Sequence, residues 1–261
     1  MQFETMITIT TFNTFLAVMA ILAVIVFIAL HFVTAGYGMM YDRRWGPTVS
    51  NRIGWVLMEA PVFIAMALLW WFSDRRFATA PLVMFLLFEL HYFQRSFVFP
   101  LLIKSKGKMP IAIIAMGVLF NVCNALMQGG WLFYVSDADR YPTSWLWSWQ
   151  FIAGTLIFFA GMAINIHSDH IIRNLRAPGE KRHYIPRGGM FRYVSSANYF
   201  GEFTEWVGFA VLTWSWAGAV FALWTFANLA PRAEKISVRY SSEFGVEFTR
   251  LRLHRIIPFI Y

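Results

Sequence analysis

The chain is poor in charge and nearly devoid of cysteine. Of its 261 residues, 14% are charged, where soluble domains carry roughly 25%. That scarcity excludes an ordinary water-soluble domain. One cysteine, Cys123, stands alone, which excludes an internal disulfide and every multi-cysteine metal motif. No G-x-G-x-x-G and no G-x-x-x-x-G-K-[ST] occurs, so neither a Rossmann nor a P-loop phosphate seat is available. Internal repeats, low-complexity tracts and a separate soluble domain are also missing. Residues 1–261 therefore read as one domain.

What is present in quantity is apolar sequence, 58% of the chain. A helix needs about 20 predominantly apolar residues to cross the hydrocarbon core. Stretches of that kind fall at 10–33, 53–72, 80–103, 111–135, 145–166, 199–213 and 216–230. The last two are short and share the link Thr213-Trp214-Ser215-Trp216, so hydropathy alone allows six spans or seven. The basic residues decide for seven, because short cytoplasmic loops collect Lys and Arg. Seven spans put Arg43, Arg44, Arg52, the Lys104-Ser105-Lys106-Gly107-Lys108 loop, residues 173–192 and the tail beyond 231 on one side. Only Arg75, Arg76 and Arg140 fall on the other. The expectation is an all-α polytopic membrane protein of seven transmembrane helices, with the N-terminus outside and the C-terminus cytoplasmic. Only Glu4 is charged before the first span, which lacks the basic start of a cleavable signal and reads as a retained helix. The net charge of +8 follows from this topology. It suits anionic lipid or a phosphorylated ligand, and no nucleic-acid motif accompanies it.

Ionisable groups inside spans are costly and default to functional candidates. Span two carries Glu59 before Pro61. Span three carries Glu89, His91, Tyr92 and Arg95, with Glu89, Tyr92 and Arg95 at three-residue intervals along one face. Asn198, Glu202 and Glu205 form an i, i+4, i+7 stripe at the start of span six, and Asn121, Asn124 and Asn165 add amides in spans four and five. At 1.5 Å per residue, Glu59 lies roughly 10 Å and Tyr92 roughly 16 Å below the cytoplasmic boundary. The polar groups thus gather in one half of the membrane. Above them, Asp169, Arg173 and Arg176 lead into Ala177-Pro178-Gly179-Glu180 and Pro186-Arg187-Gly188-Gly189, turn chemistry that folds 167–198 into a cap. The tail, ending Ile256-Ile257-Pro258-Phe259-Ile260-Tyr261, is expected to pack. Structural readings compete: Glu59 as a helix-to-helix hydrogen bond, Tyr92 as an interfacial aromatic. His167 and His170 at i, i+3 lack the further ligands of a metal shell, so no metal is expected.

These residues resemble the steroid 5α-reductases. The resemblance is carried by Gly36-Tyr37-Gly38, Trp55 to Pro61, His91-Tyr92-Phe93 with Arg95, the run from Gly161 to Glu180, Tyr184-Ile185-Pro186, Tyr193-Val194-Ser195, Ala197-Asn198, Gly201-Glu202, Glu205-Trp206 and Ile257-Pro258-Phe259. Departures are Glu234-Lys235-Ile236-Ser237, where the family usually has adjacent histidines, and Met116, where vertebrate members tend to have arginine. The resemblance implies NADPH-dependent reduction of the Δ4 double bond of 3-oxo steroids to 5α-dihydro products. Residues 1–110 then contribute the substrate and catalytic helices, and 111–261 most of the cofactor site. Hydride arriving at the β-carbon of an enone pushes charge onto the ketone oxygen, where a preorganised donor stabilises it. Tyr92 is the expected donor, with Glu59, as a carboxylic acid, orienting it or sharing the oxygen. By resemblance, Asn165, Asn198 and Glu202 attend the nicotinamide and its ribose, while Asp169, Arg173, Arg176 and Tyr184 face phosphates and adenosine. Tyr37, Arg95, Arg232 and Tyr240 complete the expected cofactor set. Trp55, Phe120, Trp206 and Phe221 are candidate walls for a flat apolar substrate entering from lipid. The expected partners are steroid and membrane lipid, with no nucleic acid, for a chain acting as a monomer. The expected location is a bacterial inner membrane or an endoplasmic reticulum, with the active site open to the cytoplasm. Other readings are a reductase of a polyprenal or enoyl thioester, a membrane methyltransferase sharing the C-terminal helical plan, and a polar-cored transporter or receptor.

Overall fold

The computed structural model describes residues 8–104, 106–176, 180 and 182–261. The charge at Glu4, Ser105 in the lysine loop and the Ala177-Pro178-Gly179 turn lie outside the described residues.

The chain is mostly helical. Five helices are long and apolar enough to cross a membrane: α1 (Ile9–Phe32), α2 (Asn51–Trp71), α3 (Thr79–Leu102), α4 (Ile111–Val135) and α5 (Trp149–Asn174). Two more long helices follow, α6 (Ala197–Thr213) and α7 (Trp216–Phe244), then the single turn α8 (Val246–Thr249). Hydroxyl caps start several of them. Thr8 accepts from the Thr11 N–H, Ser50 from Ile53, Ser148 from Phe151 and Ser215 from Gly218, each satisfying a donor that a helix start leaves open. Between α6 and α7, Trp214 adopts a left-handed φ of 45°, and that single residue turns the chain around.

The first four helices match the apolar stretches within a residue or two. The fifth does not. Its expected start is a 3-10 turn, Thr143–Trp147, and its end continues through the polar run to Asn174, so the first part of the expected cap is helix. Helix α7 likewise runs to Phe244, past the expected end at 230. The rest of the cap is residues 182–188, which have no regular structure, and a 3-10 turn at Gly189–Arg192. A two-stranded antiparallel pair, β1 (Thr48–Ser50) with β2 (Lys108–Pro110), was not expected of an all-α chain; Val49 lies opposite Met109. It ties the start of α2 to the start of α4. The tail is packed, as expected. Ser195 N–H donates to the His254 carbonyl at 2.8 Å, and Ile256 is fully buried against Ala230 and Ala233.

Four glycines make α5 and α6 the most intimate pair. A Cβ on Gly154 would lie 2.3 Å from the Leu212 nitrogen, one on Gly161 2.2 Å from Glu205 N, one on Gly201 2.4 Å from Asn165 N and one on Gly208 2.3 Å from Phe158 N. The two backbones touch where no side chain fits, the small-residue packing of helices in lipid. The other main contacts are α2 on α4, α6 on α7 and α1 on α7. At the centre, Phe88, Phe158, Trp206 and Phe209 are almost wholly buried. Outward-facing apolar side chains such as Ile21, Ile25, Ile64, Leu68, Leu119 and Leu156 are half or more exposed, an exterior suited to acyl chains and not to water.

Candidate active site

The glycine contact fixes which polar groups meet. With α5 and α6 in backbone contact, the Asn165 amide donates to the Asn198 carbonyl at 2.9 Å, and the Asn198 amide donates to Asp169 Oδ1 at 3.2 Å. Arg95 arrives from α3 on a π-helical turn, Gln94–Val98, the kind of widened turn that recurs at functional sites. Its guanidinium donates to Asp169 Oδ2 at 3.2 Å and to Glu202 Oε2 at 3.3 Å. It also lies 4.8 Å from the Trp55 ring and 4.7 Å from the Phe99 ring. Two carboxylates and two aromatic faces therefore neutralise and hold one buried cation.

Deeper in the bundle sit the groups expected to do chemistry. The Tyr92 side chain is 3% exposed, and its hydroxyl accepts from the Asn124 amide at 2.8 Å. Because that bond uses an oxygen lone pair, the phenolic proton is left for another acceptor. Glu59 accepts from Asn121 at 3.2 Å, and the same amide donates to the Met58 carbonyl at 2.7 Å. Glu59 was expected to orient Tyr92 or to share the ketone oxygen; the hydrogen bond found on the Tyr92 hydroxyl comes from Asn124. One residue before Tyr92, His91 Nδ1 meets Glu205 Oε1 at 2.8 Å.

A cavity of about 2060 Å³ joins these groups. A pocket for one drug-sized ligand occupies about 300–1,000 Å³, so this one has room for two. Glu59, Tyr92, His91 and Asn121 line it, with Trp55, Phe120, Trp206 and Phe221 as apolar wall. Trp206 and Phe221 meet edge to face at 4.5 Å, and Phe120 stacks on Phe221 at 5.9 Å. Tyr37, Arg95, Asp169, Arg173, Arg176, Asn198, Glu202, Arg232 and Tyr240 line the same space. The rim is basic, from Arg43, Lys104, Lys106 and Lys108 beside Arg173 and Arg176. Among the described residues no hydrogen bond or ion pair takes up the guanidinium of Arg173 or Arg176. Arg232, by contrast, is fully employed. It donates to the Tyr199 hydroxyl at 2.7 Å and to the carbonyls of Ala35 and Tyr37 at 3.2 and 2.8 Å, with its guanidinium 3.8 Å from the Tyr37 ring. That anchors the Gly36-Tyr37-Gly38 link over the cavity. Burial pushes the Tyr240 phenol up to about 12, so it is a neutral hydrogen-bonding group there.

Three expected positions fall elsewhere. Asn165 is buried in the α5–α6 contact and does not line the cavity; its amide is spent on Asn198. Tyr184 is also off the cavity, its hydroxyl donating to Glu180 and its ring covered by Arg182 at 5.5 Å. Glu89, expected to share a face with Tyr92 and Arg95, is buried away from the cavity with both oxygens unpartnered among the described residues. Conversely, Ser196 was overlooked. It lines the cavity with a buried hydroxyl that has no partner among the described residues. The departure at Glu234-Lys235 is also accounted for: Glu234 pairs with His31 at 3.4 Å and Arg255 at 3.0 Å, and Lys235 donates to the Val33 carbonyl at 2.9 Å. These residues clamp α7 to α1 and to the tail. Among the described residues no group of three or more His, Cys, Asp or Glu is placed to hold a metal ion.

Apolar exterior, helical bundle and a deep cavity with a basic rim and an acid, a phenol and an imidazole in its wall define the class: a membrane-embedded helical enzyme. Comparison with known proteins supplies the family. The profile described as 3-oxo-5-alpha-steroid 4-dehydrogenase matches residues 107–261. Steroid 5-alpha-reductase DET2 of Arabidopsis thaliana is 40% identical over 240 residues, 90% of each chain. The 3-oxo-5-alpha-steroid 4-dehydrogenase 1 of Mus musculus is 40% identical over 243 residues, 90% of this chain and 91% of that one. The corresponding protein of Homo sapiens is 39% identical over 216 residues, 82% and 81%. The chain belongs to the 3-oxo-5-alpha-steroid 4-dehydrogenase family, a family of oxidoreductases.

Proposed function

We propose that the protein reduces the Δ4 double bond of 3-oxo steroids to 5α-dihydro products with NADPH, in a bundle that crosses the membrane seven times and opens its cavity to the cytoplasm. The observation that carries this reading is the Tyr92 hydroxyl, held by Asn124 with its own proton uncommitted, in the wall of a cavity whose rim is basic.

The residues present fit a dinucleotide phosphate. Arg173 and Arg176 offer guanidinium groups without partners among the described residues to a pyrophosphate or a 2′-phosphate, a charge-assisted contact that arginine forms well. Ser196 offers an unpartnered hydroxyl, Asn198 and Glu202 further polar groups, and Tyr240 a neutral phenol. Asn165 and Arg232 act one step back, by fixing Asn198 and the Tyr37 link. NADPH, when bound, supplies hydride to the β-carbon of the enone. Tyr92 donates its hydrogen bond to the ketone oxygen as charge collects there, and Glu59 is the second donor at the same oxygen. Trp55, Phe120, Trp206 and Phe221 exclude water and keep the flat apolar substrate in plane, so that both donors act in a medium of low dielectric constant, where they count for most.

Loss of NADPH absorbance with a panel of 3-oxo-Δ4 steroids and non-steroid enones, followed by product identification, tests the reading. Turnover with the steroids and 5α product are expected. Tyr92→Phe should lower kcat by about 10²–10³, as removal of one oxyanion donor does elsewhere, with NADPH affinity unchanged. Turnover confined to polyprenals or enoyl thioesters would replace the steroid with another conjugated substrate.

A further inference from the structure

The His91–Glu205 pair has no part in the polarisation of the ketone proposed above, yet its imidazole sits beside Tyr92. His91 Nδ1 and Glu205 Oε1 are 2.8 Å apart, with side chains only 5% and 1% exposed. A hydrogen bond meant only to tie α3 to α6 would be complete at that point. The imidazole, however, lines the cavity, its centroid 4.9 Å from that of Tyr92 and 4.5 Å from Trp206. Its second nitrogen, Nε2, makes no protein hydrogen bond among the described residues. A carboxylate on one ring nitrogen fixes the orientation of the ring, and the other nitrogen is left to meet whatever occupies the cavity. Glu59, Arg95 and Glu202 are the other charged or ionisable groups on this part of the wall.

Reduction of an enone is an addition of hydride and proton, and the residues assigned so far account only for the oxygen. Hydride at the β-carbon moves the π pair to an enolate, which has to gain a proton at the α-carbon. We propose that His91 is the catalytic acid for that step, with Glu205 its positioning residue; this rests on the enone reduction proposed above. The Nε2–H bond breaks and leaves its pair on nitrogen, and the enolate pair forms the new C–H bond. A proton from bulk solvent, carried by water reaching the cavity, returns to the neutral imidazole, so each turnover consumes one solvent proton. Hydride comes from the reduced nicotinamide, so atoms and electrons balance.

The experiment uses the full chain in detergent, comparing wild type with H91Q, H91A and E205Q. General acid catalysis contributes about 10²–10⁴, so H91Q and H91A should lose kcat in that range while KM for steroid and NADPH affinity stay at wild-type values. Added imidazole should restore part of kcat to H91A and none to Tyr92→Phe, which a merely structural histidine would not allow. A readout independent of turnover uses ¹⁵N-histidine: the His91 Nε2 resonance, identified by its loss in H91Q, should move when a saturated 3-oxo steroid binds. Wild-type kcat in H91Q, or an Nε2 signal unmoved by bound steroid, overturns the assignment and leaves enone reduction standing. Wild-type protein that reduces no enone overturns both.

Discussion

Arg95 answers two carboxylates and two aromatic rings at once, so its removal strands more than it deletes. Without the guanidinium, Asp169 keeps one donor, the Asn198 amide, and Glu202 keeps none among the described residues. Breaking a buried pair from one side costs about 3–5 kcal/mol, because the surviving charge keeps its burial and loses its partner. Arg95→Ala should therefore lower the thermal midpoint in detergent markedly. Arg95→Lys should recover only part of the loss, since an ammonium cannot make both contacts and stack against Trp55 and Phe99. Equal midpoints for Arg95→Ala and wild type would remove Arg95 from this structural role. The same residue shows what spacing can reveal. Tyr92 and Arg95 do face one cavity, as their interval suggested, but Glu89 at the same interval does not. The π turn at Gln94–Val98 realigns the end of α3, and no residue type announces it. Asn121 and Asn124 were visible as amides in an apolar span; their roles follow only from which helix lies opposite.

At the level of helices, the α5–α6 contact sets the geometry of the floor. Any Cβ at Gly161 falls 2.2 Å from the Glu205 nitrogen, and the obstacle is backbone, which cannot rotate away as a side chain can. Gly161→Ala should force the helices apart and move Asp169 away from Asn198 and Arg95. Overpacking costs typically about 1–3 kcal/mol, so the expected result is a lower thermal midpoint together with weaker NADPH binding. Gly46→Ala is the control for lost glycine that meets no atoms, though its φ of 87° adds strain of its own. Unchanged midpoint and binding in Gly161→Ala would mean the two backbones are not so close. The spacing of seven between Gly154 and Gly161, and again between Gly201 and Gly208, was open to reading in the sequence. Hydropathy does not weigh glycine for close approach, and so it passed unnoticed. Apolar runs bounded by polar residues or proline located α1 to α4 well. They failed at the ends of α5 and α7, where helices leave the apolar layer and continue with polar faces, and a hydropathy window stops at the polar residues while the backbone hydrogen bonds do not. Asn165 shows the same gap: its place on α5 was legible, but which side of the helix crossing it takes was not.

Across the whole molecule, the loops fall into two sets that side chains and strands join separately. In one set, β1 pairs with β2, Arg232 holds the carbonyls of Ala35 and Tyr37, Lys104 donates to Asn174, and Val194 bridges to His254. In the other, Arg75 donates to the Ser136 carbonyl, Arg140 to that of Trp214, and Tyr141 to that of Thr213. Every long helix from α2 to α7 has one end in each set, the arrangement expected if all of them cross, including the 17-residue α6, which its neighbours shield from lipid. The first set contains nearly all the basic loops, so it should face the cytoplasm. Cys123 is the sole cysteine, which makes the test direct. In a Cys123→Ala background, Arg187→Cys should react with a membrane-impermeant maleimide in inside-out vesicles only, and Asp139→Cys in right-side-out vesicles only. Reaction of both from one side would contradict an odd number of crossings between them, and reversed reactivity would turn the protein over. In that case the basic rim, and the dinucleotide it is proposed to hold, would face a compartment with no supply of NADPH, so the topology experiment bears on the chemistry as directly as any active-site variant.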